Sequence, residues 1–219
     1  KKKDDLRSSE SATIPKKPSL YKTYSESSDH VGGLEFDWAT NVARYVGVIV
    51  HEILERIDHS YFELDKDKWL LNAKRYARQR IWSFGLSISK ERDALFRIET
   101  CIKKISRSKK CKWLFSSQHR LIHTEHRLMT QLDNRAKVLI MDRTFVDDAN
   151  FNWIIDFKTG FHQGKDLDGF LQEEISRHQP QLNLYGQHLS ILRKGTVMLG
   201  LYFPIYDFWH QWPYIVVGD

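Results

Sequence analysis

Apolar and polar residues divide the chain into a polar N-terminal stretch followed by helical and strand-like segments. Residues 1–33 are rich in Lys, Ser, Asp and Pro and nearly free of large apolar side chains. Such a stretch cannot bury enough surface to offset the entropy of ordering it. We therefore predict a linker or flexible segment over residues 1–33 and a single folded domain over residues 34–219.

Helical spacing is strongest between Leu34 and His59. The apolar stripe predicted to face the core consists of Val42, Tyr45, Val46, Ile49, Ile53, Leu54 and Ile57. A neighbouring stripe carries Gly47, His51, Glu55 and Asp58 at successive turns. A mid-helix glycine weakens a helix by about 1 kcal/mol relative to alanine. Either close packing at Gly47 or ligand access to His51 would explain why glycine stands there.

Further helical patterns, around Trp69–Phe84 and Glu91–Ile105, predict a helical region at about residues 65–115. Its many Lys and Arg side chains could contact phosphates, and Trp82 or Phe84 could stack on bases. A solvated helix face with aromatic side chains in the core explains most of these residues more simply. The segment His119–Leu132 then alternates like a strand, and exposed strand positions account for its three histidines.

The segment from Ala136 to Gly160 predicts a β-hairpin, because two apolar strands flank an Asp-Asp-Ala-Asn turn. A three-residue loop would place Asp142 directly opposite Asp156 and would give Asn150 the left-handed conformation that such a loop needs. A buried acid in a strand is costly unless something compensates it. Two acids converging with Lys158 at strand ends therefore indicate a metal site, although an ion pair or a structural cation would also explain them.

Side chains alternate between the two faces of a strand. The second strand of this hairpin is therefore predicted to have one face with candidate catalytic side chains and another face that packs in the core. One face carries Ile154, Asp156 and Lys158, and the other carries Trp153, Ile155 and Phe157. Hydrolysis of a phosphodiester in neutral water needs a divalent ion and a nearby cation. Mg²⁺ takes few carboxylates and keeps several waters, which fits so sparse a set of acids.

The remaining chain predicts a strand, a crossover helix and a second strand. Residues 161–179 are interpreted as a polar connection, followed by a helix that begins at Pro180 and ends with Gly195 as its C-cap. On that helix Gln181 and Tyr185 share a face, and an ordinary core position would also explain the tyrosine.

Two further strands complete the predicted sheet. The apolar run Thr196–Pro204 predicts a buried strand parallel to the second hairpin strand. Phe208–Val217 predicts an edge strand, because Pro213 is unsuited to a central one.

Composition narrows the class of protein. The 34 Lys and Arg against 28 Asp and Glu give a net charge of +6, which favours polyanionic partners only weakly. Two cysteines, Cys101 and Cys111, are too few for a disulfide framework or a four-cysteine site. Neither a long apolar run nor a secretory h-region is present, so we expect a soluble cytoplasmic protein without a membrane partner. The Lys-Lys-Lys start without Met suggests a fragment of a longer chain.

Four motifs, in order, resemble those of the PD-(D/E)xK nuclease domains of the RecB and AddA helicase-nucleases. They are GVIVH at 47–51, LIMD ending at Asp142, IIDFKTG around Asp156 and Lys158, and QLNLY at 181–185. The resemblance spans about Gly47 to Tyr185, most of the predicted domain. It implies a restriction-endonuclease-like α/β fold, with a mixed sheet flanked by helices and an added helical region.

The resemblance also implies roles for individual residues. The metal ligands would be His51, Asp142, Asp156 and the main-chain carbonyl of Phe157, and the catalytic residues would be Asp142, Asp156 and Lys158. Lys158 would position or activate the attacking water. Gln181 and Tyr185 would help to hold DNA. The resemblance also implies a substrate-binding role for Gly47 and, as a looser match to the motifs, for Glu125.

By resemblance, the cofactor would be Mg²⁺, with Mn²⁺ as a substitute, and the activity that of an exodeoxyribonuclease V-like deoxyribonuclease. The chain lacks the four cysteines that hold an iron-sulfur cluster in some relatives, and it lacks a GxxxxGK[ST] motif for ATP. A helicase upstream in the same polypeptide, and a second helicase-nuclease subunit, would deliver single-stranded DNA in the bacterial nucleoid. Two alternatives stay open: an inactive nuclease fold that binds DNA or docks a partner, and a stand-alone restriction or repair endonuclease.

Overall fold

The computed structural model describes residues 35–57, 66–132 and 135–215. Its elements are α1 (Glu35–Glu55), α2 (Lys66–Trp82), α3 (Ile88–Ile105), α4 (Lys109–Leu114), β1 (Arg120–Leu132), β2 (Arg135–Val146), β3 (Asn152–Phe157), α5 (Leu167–Leu192), β4 (Val197–Phe203) and β5 (Phe208–Pro213). The predicted linker over 1–33 and the predicted stripe residue Asp58 lie outside the described residues. Within the described ranges, every helix is too short or too polar to cross a membrane.

The strands form one five-stranded sheet in the order β1-β2-β3-β4-β5. β3 and β4 are parallel, and the other neighbouring pairs are antiparallel. The parallel pair is joined by α5, as a crossover connection requires. The predicted mixed α/β architecture is therefore confirmed, together with the buried strand β4 and the edge strand β5.

Two apolar layers enclose the sheet. In one layer, helices α1, α2, α3 and α4 pack against Trp153, Ile155 and Phe157 of β3. The other joins α5 to Ile154 of β3 and to Leu199 of β4. The predicted alternation along β3 is confirmed, but the idea that one face carries only chemistry is wrong. Acidic and basic groups occupy only the end of β3, because α5 covers the rest of that face with apolar side chains.

The hairpin loop between β2 and β3 has the predicted form. Asp147 and Phe151 close it through a hydrogen bond from the Asp147 amide to the Phe151 carbonyl at 3.1 Å. Asn150 adopts a left-handed conformation with a φ of 62°. Asparagine tolerates that region better than other non-glycine residues, which explains why the local sequence was sufficient to predict the turn.

Helix α5 differs from its prediction at both ends. It begins at Leu167, where the side chain of Asp166 accepts a hydrogen bond from the Gly169 amide at 2.8 Å, and Pro180 lies inside it. Buried apolar side chains in its first half, such as Leu171, offset the one helical hydrogen bond that a proline removes. The helix ends at Leu192, so Gly195, with a φ of 102°, belongs to the following turn and is not its cap.

The helical region at 66–114 packs through its aromatic and aliphatic side chains. Phe84 stacks on Tyr45 of α1 with ring centroids 4.1 Å apart, whereas Trp82 is exposed. Cys101 and Cys111 are buried free thiols. Burial raises the pKa of both thiols to about 12, which keeps them protonated and unreactive at neutral pH.

Candidate active site

The open end of the hairpin, opposite its loop, carries two buried acids. The paired residues of β2 and β3 include Arg143 with Ile155 and Phe145 with Trp153, which is the predicted register. One further step along both strands sets Asp142 opposite Asp156. These two residues are only 3% and 2% exposed.

The alternation of β2 is interrupted at Asp142. Met141 packs in the layer formed with α5, whereas Phe145 packs in the layer of the other helices. In a regular strand these two residues would share a face. Asp142 instead accepts a hydrogen bond from the Phe157 amide through Oδ2, at 2.8 Å. This break in the alternation directs the Asp142 carboxylate toward the end of β3.

The neighbouring strand carries an irregularity at the same level. Thr124 pairs with Arg143 and His126 with Met141, so the register sets Glu125 opposite Asp142. Glu125 has a φ of 49°, in the left-handed region that is rarely occupied by such residues. The two adjacent irregularities bring acids from β1 and β2 to one place.

His51 reaches this place from α1. Its Nδ1 lies 3.5 Å from Asp142 Oδ2, and its ring meets the Phe157 ring edge-on with centroids 6.2 Å apart. One turn earlier, a Cβ atom on Gly47 would lie 3.1 Å from Thr159 Oγ1. The glycine thus allows α1 to approach the segment after β3 closely, which favours the packing explanation for Gly47 and brings the imidazole to Asp142.

Lys158 is paired with Asp156. Its Nζ lies 2.8 Å from Asp156 Oδ2, and both side chains are buried. The Lys158 amide donates to the Tyr202 carbonyl on β4 at 2.9 Å. Because the amide and carbonyl of one trans peptide point in opposite directions, the Phe157 carbonyl points toward β2. That is the side on which Asp142 lies.

Gln181 and Tyr185 contact each other on α5. The Gln181 amide donates to the Tyr185 hydroxyl at 2.5 Å. Tyr185 is buried in the layer that also contains Leu182 and Leu189. The ordinary core explanation therefore accounts for the tyrosine ring, while the hydroxyl and the glutamine amide form a polar pair at its edge.

Glu174 is a site residue that the sequence interpretation missed. It is buried on α5, where its Oε1 lies 2.6 Å from Arg177 Nη1 and its Oε2 lies 3.6 Å from His178 Nε2. A Cβ atom on Gly160 would lie 3.3 Å from Glu174 Oε2, so this carboxylate lies against the segment that follows Lys158. The hydrogen bond to His178, with the charges of Arg177 and Lys158, lowers the pKa of Glu174 despite its burial. A glutamate four residues before a histidine was the available signal.

Glu55 is the second missed residue. It lies one turn after His51 on α1, and the residue as a whole is exposed. Partial removal of its carboxyl group from water, a hydrogen bond and charge repulsion from Glu125, and the charge of Asp142 raise the pKa of Glu55 to about 7. The stripe of Gly47, His51 and Glu55 was visible in the sequence, but nothing local showed that Glu125 would face it.

Three histidines, in β1 and in the segment just before it, make structural contacts. His119 is buried, not exposed as expected: its Nε2 lies 2.6 Å from the Trp113 carbonyl, and its ring stacks on Phe145 at 4.0 Å. His126 Nδ1 lies 2.9 Å from Thr144 Oγ1, and the His123 and His126 rings are 4.6 Å apart. A strand pattern alone could not reveal that Trp113 and Phe145 enclose His119.

The donor set suits a divalent cation in type, with carboxylate oxygens, a main-chain carbonyl and one imidazole. Among the side chains that the structure describes, however, no group of three or more His, Cys, Asp or Glu is arranged to hold a metal ion. Asp156 Oδ2 is buried, and within the described residues its partner is the Lys158 ammonium rather than a hydrogen-bond donor of good geometry. A cation bound through Asp156 Oδ2 would therefore compete with the Lys158 ammonium for that oxygen.

Comparison with known proteins assigns no family to this chain. No protein-family model matches it, and no curated protein matches it. The four ordered motifs remain a resemblance. Function is therefore argued from the residues that the hairpin, α1 and α5 bring together.

Proposed function

We propose that this chain is a restriction-endonuclease-like, metal-dependent nuclease domain that hydrolyses phosphodiester bonds of DNA. One observation carries the proposal: two buried carboxylates lie at one end of the hairpin, Asp142 at 3.5 Å from His51 Nδ1 and Asp156 at 2.8 Å from Lys158 Nζ. Burying several titratable groups together costs stability, and such clusters concentrate at functional sites. The raised pKa of Glu55 supports the proposal, because partial burial and the negative charges of Glu125 and Asp142 at the same place raise it.

Each residue has a role in this proposal. Asp142, Asp156, His51 and the Phe157 carbonyl would hold Mg²⁺ or Mn²⁺. Binding of that ion would supply positive charge opposite the phosphate oxygens and acidify the attacking water. Lys158 neutralises Asp156 in the ion pair that the structure shows. With a cation bound at Asp156, the Lys158 ammonium would lie near the phosphate and would stabilise the negative charge that builds up during attack.

The substrate and partners follow from the resemblance. We propose that the domain acts on single-stranded DNA delivered by an ATP-dependent helicase in the same polypeptide, with a second helicase-nuclease subunit, during recombination and break repair in a bacterial cytoplasm. Gln181 and Tyr185 would order the site beside the DNA. The net charge of +6 supports a polyanionic substrate without identifying it.

Cleavage of end-labelled single-stranded DNA by the 219-residue chain, with Mg²⁺, with Mn²⁺ and with EDTA, tests the proposal. We expect metal-dependent cleavage that falls by about 10³-fold or more in Asp156→Asn, because the substitution removes a metal ligand and a charge. Asp148→Asn is the matched control, because Asp148 is an exposed acid in the hairpin loop. Equal rates for the wild type and Asp156→Asn under every metal condition would contradict the proposal.

A second candidate is a nuclease fold that binds DNA or docks a partner without cleaving. The Asp156–Lys158 ion pair favours this candidate, because the lysine balances the charge of the buried carboxylate without a metal ion. This candidate predicts DNA binding that EDTA does not affect, and no cleavage even when the upstream region is present. The first candidate predicts cleavage under at least one metal condition.

A further inference from the structure

The strands β1 and β2 continue past the candidate active site as a two-stranded ribbon. Residues 135–141 of β2 pair with β1, whereas β3 is paired with β2 only over 143–146 among the described residues. Directly opposed residues share a face in an antiparallel pair. The pairs Arg127 with Ile140, Met129 with Val138 and Gln131 with Ala136 therefore lie on one face of the ribbon.

The opposite face of the ribbon is covered by α5. Leu128 and Leu139 pack in the same apolar layer as Leu182 and Leu189 of α5. Thr130 Oγ1 also lies 3.2 Å from His188 Nδ1. These contacts fix the ribbon against the domain on one side, and within the part of the chain that the structure describes its other side is exposed.

The uncovered side, named here the ribbon face, consists of Arg127, Met129, Gln131, Ala136 and Val138. Met129 is 82% exposed, and its partner Val138 is 51% exposed. Two large apolar side chains that face each other in water forgo the free energy of burial, so the pair suits a contact with another molecule. Arg127 lies one pair closer to the active site on the same face.

Charge identifies the partner. The described residues of the ribbon, 126–132 and 135–141, include the exposed cations Arg127, Arg135 and Lys137 and no Asp or Glu. Of these three cations, Arg127 lies on the ribbon face, and Arg135 and Lys137 alternate to the other side of the ribbon. Two ribbons brought together would carry like charge, which opposes pairing between copies. Cations beside apolar side chains suit a single nucleic-acid strand, which presents phosphates and unpaired bases together.

Distance connects the ribbon face to the candidate active site. Met129 and Val138 lie four residues beyond Glu125 and Asp142 along their strands. At about 3.3 Å per residue this is about 13 Å, or about four nucleotides at a rise of about 3.4 Å per stacked base. A strand whose phosphate lies at Asp142 can therefore cross the ribbon face within a few nucleotides.

We infer that the ribbon face binds single-stranded DNA on one side of the candidate active site. Arg127 contacts a phosphate, and Met129 and Val138 pack against bases or sugars. The position of this DNA relative to Asp142 rests on the proposed function. Binding itself does not, because it needs neither a metal nor cleavage.

Binding of a fluorescent 20-nucleotide oligo-dT in EDTA, measured by anisotropy, tests the inference. We expect Met129→Glu to weaken binding by about tenfold or more, the size of one lost base contact with added repulsion, and Arg127→Ala by a few-fold. The matched controls are Ile191→Glu, an exposed apolar position on α5, and Arg75→Ala, an exposed cation on α2. Both controls should bind within about twofold of wild type, because neither lies on the ribbon face. All four sites are exposed, and a thermal melt checks that each variant is folded.

The outcomes separate this inference from the proposed function. Weaker binding by Met129→Glu, in a protein that never cleaves DNA, would support the ribbon face and contradict the nuclease. Wild-type cleavage, with binding and KM unchanged in Met129→Glu and Arg127→Ala, would overturn the ribbon face alone. Absence of any DNA binding by the wild type would overturn it as well. A wild-type dimer that Met129→Glu makes monomeric, without changing DNA affinity, would reassign the face to contact between copies.

Discussion

The two ends of the β2–β3 hairpin contain equally buried acids with different partners. At the loop end Asp147 is 5% exposed, and it accepts hydrogen bonds from the Phe151 amide at 2.8 Å and the Trp153 indole at 2.7 Å. At the open end Asp156 faces the Lys158 ammonium at 2.8 Å. The Phe151 amide and the Trp153 indole are neutral donors, and through them Asp147 stabilises the turn. A cationic partner holds an acid in a way that another cation can replace, so the partner of a buried acid is a better guide to function than its burial.

The largest expected effect comes from removing the charged partner at the open end. Lys158→Met leaves the Asp156 carboxylate buried without its counter-charge, so we expect a loss of about 3–5 kcal/mol in the free energy of unfolding. Urea unfolding measures it. Asp156→Asn in the same background should recover most of the loss, because the buried charge is gone. Mg²⁺ should stabilise Lys158→Met more than the wild type. Unfolding of Lys158→Met at the wild-type urea concentration would show that the pair contributes nothing.

Removing the acid at the loop end should cost less and should not affect catalysis. Asp147→Ala leaves the Trp153 indole and the Phe151 amide without their acceptor, so we expect a loss of about 2–3 kcal/mol. Urea unfolding gives the loss, and DNA cleavage per folded molecule should stay at the wild-type rate. Asp148→Ala, at the exposed neighbouring position, should change stability by about 0.5 kcal/mol or less. A large fall in cleavage by folded Asp147→Ala would remove the distinction between the two ends.

The close approach of α1 to the open end predicts a smaller, coupled effect. Gly47→Ala gains about 1 kcal/mol of helix propensity but brings a Cβ to 3.1 Å from Thr159 Oγ1. We expect no net gain in the wild-type background. In a Thr159→Ala background the same substitution should stabilise the protein by about 1 kcal/mol, because the crowding atom is absent. Thermal melts of the four proteins measure the coupling, and equal effects in both backgrounds would rule out the contact.

The smallest expected effect is a pH dependence at the open end. The pKa of Glu55 is raised from its ordinary value of 4.5 to about 7 in the folded state, so the folded protein binds this proton more tightly. Its contribution to stability is therefore present at low pH and is lost as pH rises from 4.5 to 7. At pH 8 we expect Glu55→Gln to be more stable than wild type, by about 0.5 kcal/mol or less in the free energy of unfolding, because solvent screens an exposed group. At pH 4 the two proteins should melt at the same temperature. Parallel melting profiles from pH 4 to 8 would contradict the shift.

Local chemistry determined what could be predicted. The loop, the register and the faces of β3 followed from turn residues and alternation, which act over a few positions. The start of α5 did not, because Pro180 suits the first turn of a helix, and burial of earlier side chains such as Leu171 outweighed that preference. That error placed Glu174 in a supposed polar connection. Similarly, the proximity of Glu55 to Glu125 depends on tertiary packing. The spacing of Gly47, His51 and Glu55 predicted a shared helix stripe, but it did not show that Glu125 would face it.

The left-handed residue in β1 also affects how the domain avoids aggregation. β1 is an edge strand, so its outer backbone groups could pair with a strand from another molecule. Positive φ values at Leu121 and Glu125, and a register shift between Arg120 and His123, break the flat row of donors and acceptors. An interrupted edge is a poor template for a foreign strand. The backbone distortion that carries Glu125 to the acidic cluster therefore also limits sheet growth between molecules.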